Sequence, residues 1–382
     1  MEPRSRSALL VVFVDALGPA QAPLLDGPSL GIGHTASLRG VLGYSSGAIP
    51  TILTGEPPSR HGRMCLFARA RNDSPLAPLR WLGLLPRIVQ ERASVRRLLS
   101  RAFAAARGYD GYFALHRIPP SAFGSLDAPE REDLFQSPTI GGVPTFLARA
   151  REAGLRVTVS DWRLPERDRV RSIEAAPDAD LSFLYLSGLD GILHRDGLAG
   201  DGAKAWAVEA RRWIARARMA LARGARRRDV SVLVVGDHGM ADVTRVVDPR
   251  PTMYALASVV KDRFVFVDST MLRVHAAGAS DEVRQIFAAL PGQVLDVSDL
   301  ALREAPPDGA YGDLVALLPE GTIFAPSWVG GRVRGMHGYD RSSASANAAL
   351  LADAPIPDGV TRLEDMSALV AQRLDLPVAE AA

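Results

Sequence analysis

Leu9-Leu10-Val11-Val12-Phe13-Val14-Asp15 is an unbroken apolar run, rich in β-branched residues, that stops on a carboxylate. A strand with one wet face would alternate polar and apolar side chains, so a continuous run of this length suits a strand covered on both faces. Comparable runs recur at 156–160, Leu181–Leu186 and Val230–Val235, and the last two close on Ser187-Gly188-Leu189-Asp190 and Gly236-Asp237-His238. Helical stretches at 145–153 and 203–223 lie between them. Strands alternating with helices predict an α/β fold of three layers, α/β/α, around a mainly parallel central sheet. Ligands of such sheets sit beyond the carboxyl ends of the strands, which is where these motifs fall.

The 382 residues are read as one catalytic domain, 47% apolar and 23% charged, with a net charge of +2. That balance lacks the basic excess of a generic nucleic-acid binder, so no nucleic-acid partner is expected. The single cysteine, Cys65, excludes an internal disulfide and a thiolate metal cage, and reads as a small, partly buried hydrophobe. Arg4 and Arg6 ahead of the first apolar run resemble a short signal peptide, but no small-residue cleavage site follows. The run is therefore read as a core strand, no transmembrane segment is expected, and the expected location is cytoplasmic. The sequence leaves the oligomeric state open.

Two stretches read as additions to the core. Residues 64–144 lack a sheet rhythm and hold a helical segment near 88–107, then Tyr109, Tyr112, Phe113 and His116; they are read as a cap insertion. Residues 264–331 read as a smaller α+β insertion. The tail at 360–376 carries Leu363, Met366, Leu369, Val370 and Leu374 at helical spacing, as a closing helix would.

Seven residues read together as a site: Asp15, Ser45, Asp190, His194, Asp237, His238 and His337. Asp190 and His194 are four apart, which on a helix puts a carboxylate and an imidazole on one face. Asp237 and His238 are adjacent, and can reach one cavity only where the chain turns sharply, which Gly236 and Gly239 permit. His337 lies in Gly335-Met336-His337-Gly338. Carboxylates and imidazoles so placed can hold two divalent ions around one hydroxyl.

Thr54-Gly55 and Pro58-Ser59-Arg60-His61-Gly62 complete the pattern. With them the chain resembles the alkaline phosphatase superfamily, and within it the nucleotide pyrophosphatase/phosphodiesterase (type I phosphodiesterase) branch. That branch has a Thr or Ser opening a helix, then Thr-Gly ten residues on, then Pro-x-x-His-Gly; counting back ten from Gly55 reaches Ser45. Ser46 remains the alternative nucleophile, and His61 is read as structural. The resemblance implies an alkaline-phosphatase-like fold with cap-like insertions. It implies two zinc ions, with manganese the alternative: one held by Asp190, His194 and His337, the other by Asp15, Asp237, His238 and Ser45. It implies hydrolysis of a phosphodiester or pyrophosphate through a covalent phospho-serine at Ser45, the substrate being a small-molecule phosphate ester of a nucleotide, sugar or lipid head group.

Departures from the family pattern keep alternatives open. An Asn that helps hold a phosphoryl oxygen is replaced by Leu66, for which Arg69, Arg71 or Asn72 are candidate substitutes. The aromatic that often follows the nucleophile is Ser46 here, so Ser46 joins the candidate substrate-binding residues. A phosphomonoesterase or phosphonate hydrolase, a manganese-dependent phosphomutase and a phosphotransferase all share the seven-residue plan. A sulfatase does not fit, because Ser45 is followed by Ser46-Gly47-Ala48-Ile49 rather than x-Pro-x-Arg.

Overall fold

Ala8–Val14 lies at the middle of a six-stranded sheet and is buried along its whole length. The structure is a computed structural model and describes residues 7–26, 30–224, 229–260, 264–276 and 280–376. Arg4 and Arg6, which carried the signal-peptide reading, lie outside the described residues. Across the sheet the order is His34–Leu38, Ala348–Ala352, Val230–Val235, Ala8–Val14, Leu181–Leu186 and Val157–Val159. The last four pair in parallel, and Ala348–Ala352 runs antiparallel to both its neighbours. The expected mainly parallel sheet is thus present.

The alternation of side chains along the central strand builds the layers. Leu10, Val12 and Val14 face one way, packing with Leu184, Leu186, Val232 and Val234 against the helices Glu166–Glu174, Gly188–Asp196 and Asp201–Ala222. Leu9, Val11 and Phe13 face the other way, against the helices Ser45–Thr54, Phe146–Glu152 and Asp365–Arg373. Because both faces are covered, the strands need no polar residues at all. The arginines of Asp201–Ala222 are tied back to the protein: Arg211 donates to Leu24 O, while Arg216 and Arg218 pair with Glu174 and Asp353. No helix among the described residues is long and apolar enough to cross a membrane.

Beyond the sheet, Val265–Val267, Met271–Val274, Leu314–Leu317 and Gln293–Leu295 form a separate four-stranded antiparallel sheet. Side chains of Arg250–Val259 and Ser280–Phe287 pack on it. The chain between residues 64 and 144 contributes the helix Ala93–Arg107 and the 3-10 turns Ala77–Leu84 and Pro120–Ser125, and its Phe67, Leu79, Leu115 and Phe123 form a cluster closed by Phe264 and Phe266 of the other insertion. The two additions therefore share a core. Where they meet, Arg273 is fully buried, its Nε 2.6 Å from Asp268 Oδ2 and its guanidinium packed on the Phe264, Phe266 and Tyr311 rings.

Candidate active site

Every residue of the seven lies at the carboxyl edge of the central sheet or on a segment laid across it. Asp15 follows Ala8–Val14, and Asp237 and His238 follow Val230–Val235. Asp190 and His194 stand one turn apart on Gly188–Asp196, Ser45 is the first residue of Ser45–Thr54, and His337 follows the two-residue strand Gly335–Met336. The loops carrying Asp15 and Asp237 touch: a Cβ on Gly236 would sit 2.1 Å from Leu17 O, so only glycine fits there. Gly338, at φ 85°, lets the His337 loop close over the Tyr44 ring.

The structure brings the seven together in two groups. Asp190, His194 and His337 form one and Asp15, Asp237 and His238 the other, with each group's ligand-type atoms within 4.8 Å of one another. The groups adjoin, since the His238 and His337 rings stack at 3.6 Å. Ser45 Oγ lies 3.0 Å from His238 Nε2. Ser45 also starts its helix, so the positive end of the helix dipole falls on the hydroxyl and on any anion beside it.

The donor set fits divalent cations. Asp15 Oδ1, Asp190 Oδ1 and Asp237 Oδ2 are buried without a hydrogen-bond partner. Yet imidazole Nε2 atoms lie 3.7 Å from the first (His238), 3.2 Å from the second (His194) and 3.2 Å from the third (His238). Oxygens and nitrogens this close that make no hydrogen bond to one another could each offer a lone pair to one cation. The remaining ring nitrogens are oriented from behind: Nδ1 of His194 bonds Gly335 O at 2.8 Å, and Nδ1 of His238 bonds Gly239 O at 2.8 Å. A carbonyl there takes the Nδ1 proton and leaves Nε2 as a lone pair. Asp15 Oδ2 accepts from the Tyr185 hydroxyl at 2.7 Å, and Asp237 Oδ1 from the backbone N–H groups of Ala16 and His238 at 3.1 Å.

The electrostatics say the same. Burial, and then the carboxylates of Asp237 and Asp190, push Asp15 well above its usual range. Burial works against a charged His238, but Asp237 and Asp15 overcome it and raise the imidazole to about 10. Burial, then His238 and His194, hold His337 well below the usual histidine value. Three acids this close and this dry call for positive charge between them.

A cavity of about 520 Å³ opens from Ser45 and His337. Its wall is mostly apolar and aromatic, including Ile49, Leu66, Tyr112, Phe135 and Trp162, and no arginine or lysine lines it among the described residues. Ser46 is buried in this wall with Glu130, whose carboxyl burial pushes up and Ser46 draws back down. Arg69, Arg71 and Asn72, the expected phosphate partners, do not line the cavity: Arg71 turns away to pair with Asp308, and Asn72 is exposed. Proximity in sequence to the nucleophile segment does not carry them to it. Glu130, Tyr112 and Tyr185 are not read from the sequence as site residues; a strand-end tyrosine in register with Phe13, beside Asp15, is the one signal that could have pointed to Tyr185.

His61 does what a structural histidine does. The Thr51 hydroxyl donates to Gly47 O at 3.0 Å, so it accepts from His61 Nε2 at 2.9 Å, while Nδ1 accepts from the Arg63 N–H at 3.2 Å. The ring pins the Pro58–His61 turn to the Ser45 helix as a neutral imidazole.

Residues 45–340 match the family described as type I phosphodiesterase / nucleotide pyrophosphatase. Among solved structures, murine ectonucleotide pyrophosphatase / phosphodiesterase 5 matches with a TM-score of 0.69 at 16% identity, over 98% of this chain and 97% of that one. The human protein of the same name matches with 0.68 at 15% identity, over 99% and 97%. An inactive variant of the murine protein in complex with AMP matches with 0.67 at 16% identity, over 99% and 97%. No curated protein matches in sequence.

Proposed function

This chain belongs to the type I phosphodiesterase / nucleotide pyrophosphatase family, whose match spans residues 45–340, and on that footing we propose that it is a two-metal hydrolase cleaving phosphodiester or pyrophosphate bonds through a phospho-serine at Ser45. The observation that carries the reading is the convergence of Ser45 Oγ with two adjoining groups of acids and imidazoles beside one cavity. Asp190, His194 and His337 would hold one divalent cation, and Asp15, Asp237 and His238, with Ser45, the other. We take zinc as the metal and manganese as the alternative, because imidazole and carboxylate ligands suit both. Such cations lower the pKa of a hydroxyl and offset charge on the phosphoryl group.

The chain's own residues supply the rest. Ser45 Oγ, having lost its proton, attacks phosphorus, and the bond to the leaving oxygen breaks. Tyr185 holds Asp15 in place from behind, as the Gly335 and Gly239 carbonyls hold His194 and His238. Water then attacks the phospho-serine, freeing Ser45 and a phosphate monoester. The cavity wall favours a diester, which carries one negative charge, over a dianionic monoester. It holds Glu130 and, among the described residues, no arginine or lysine to meet a second charge. The AMP in the related murine structure supports a nucleotidyl substrate.

A paired assay on bis-p-nitrophenyl phosphate and p-nitrophenyl phosphate, with zinc or manganese, tests the reading. Diester hydrolysis should dominate and vanish in Ser45→Ala; a preference for the monoester would overturn the diesterase assignment.

A further inference from the structure

Adjoining the catalytic cavity is a second one of about 680 Å³, and the two share Tyr112, His116 and Val329 in their linings. Their side-chain linings differ. Among the described residues, the catalytic cavity has acids and no arginine in its lining, whereas Arg96, Arg97 and Arg117 all line the second, against one carboxylate, Glu91. Arg96 is fixed in place: its Nε donates to Gln90 O at 2.7 Å and its Nη1 to Ile118 O at 2.8 Å. These carbonyls orient the guanidinium without neutralising it. The Arg97 and Arg117 side chains make no ion pair or side-chain hydrogen bond among the described residues. Arg117 also reaches the boundary, since a Cβ on Gly331, a residue of the catalytic cavity, would sit 3.8 Å from its Nη1.

The shared lining is unusual as well. His116 holds a left-handed backbone at φ 43°, a conformation that non-glycine residues rarely adopt. Its Nε2 is buried without a partner. Tyr112 beside it is exposed, its ring centroid 6.2 Å from that of His116.

We propose that the arginine-lined cavity is a second anion subsite. It would take a phosphate group on the far side of the substrate's organic part while the scissile phosphodiester sits at Ser45. Three guanidinium groups around one concavity, with a single carboxylate among them, attract an anion, and forked donors match phosphate oxygens. The catalytic cavity offers that second group the buried carboxyl of Glu130 and, among the described residues, no arginine or lysine. The substrate class is therefore a phosphodiester or pyrophosphate that carries a further phosphate beyond the reacting one. This rests on the phosphodiesterase reading above.

The test compares two p-nitrophenyl esters of thymidine 5′-phosphate, with and without a second phosphate on the sugar, in the zinc-loaded protein. The wild type should favour the bisphosphate in kcat/KM, chiefly through KM, and raised salt should erode that preference. The preference should fall by about tenfold or more in the Arg97→Ala/Arg117→Ala variant, as expected for the loss of charged hydrogen bonds. Both arginines are exposed, so the fold should tolerate the change. An equal preference in wild type and variant would overturn the subsite. Inorganic phosphate titrated into the metal-free protein gives a readout that needs no turnover: binding weakened in the variant supports the subsite, and binding unchanged or absent in both proteins overturns it. Were neither ester hydrolysed, the phosphodiesterase reading would fall while this titration still decided the subsite.

Discussion

His61 gives a stability prediction whose size follows from the structure. Its ring is buried, donates to Thr51 and accepts from the Arg63 N–H, so an added proton on Nδ1 would face another donor. Burial, and then Arg63, lower its pKa from 6.5 to about 3. Because the folded value is depressed, the unfolded chain binds more protons between those two values. Stability therefore rises with pH across that window and is lost as pH falls from about 6.5 toward 3. The full effect is about 5 kcal/mol in the acid limit, and roughly 2 kcal/mol between pH 7 and pH 5. His61→Gln keeps a donor toward Thr51 but cannot titrate. It should cost about 1–2 kcal/mol at pH 7 for the lost acceptor, and that deficit should close as the pH falls to 5. Urea unfolding of both metal-free proteins at the two pH values reads the difference directly, since all other titrating groups are common to both. A deficit that stays constant with pH would show that His61 is not held neutral and would sink the explanation.

Three further outcomes are expected. Tyr185→Phe, which removes the hydrogen bond to Asp15, should weaken zinc binding by about 10–100-fold in a competition titration, with circular dichroism unchanged and activity restored by excess zinc. Arg273→Met leaves Asp268 buried without its cation and should destabilise the protein by about 3–5 kcal/mol in urea; adding Asp268→Asn should recover part of that loss. Burial pushes the Cys65 thiol up to about 12, so a thiol reagent at pH 8 should leave the native protein unlabelled and label it fully once denatured.

The parts of the fold that could be read ahead are those whose signal is local. Leu9–Val14 declares a doubly covered strand by lacking polar residues, and Asp190 with His194 declares a helical face by its spacing. Ala348–Ala352 does not declare itself. Ala-Ala-Leu-Leu-Ala favours a helix by intrinsic preference, yet it is a strand because Val230–Val235 and His34–Leu38 pair with it on either side. The seven candidate residues, which the structure brings together, could be picked out because glycines and strand ends flank them. Glu130, Tyr112 and His116 were not, since they come from an insertion with no periodicity and reach the cavity only through tertiary packing. Arg71 marks the opposite error, a residue near in sequence that an ion pair with Asp308 turns away.

Calorimetric titration of zinc into the metal-free protein tests most directly whether Ser45 sits between two cation sites. The wild type should bind two equivalents, and Asp190→Ala and Asp237→Ala should each retain one, losing different sites. A single equivalent in the wild type, or two in either variant, would contradict the two-metal account.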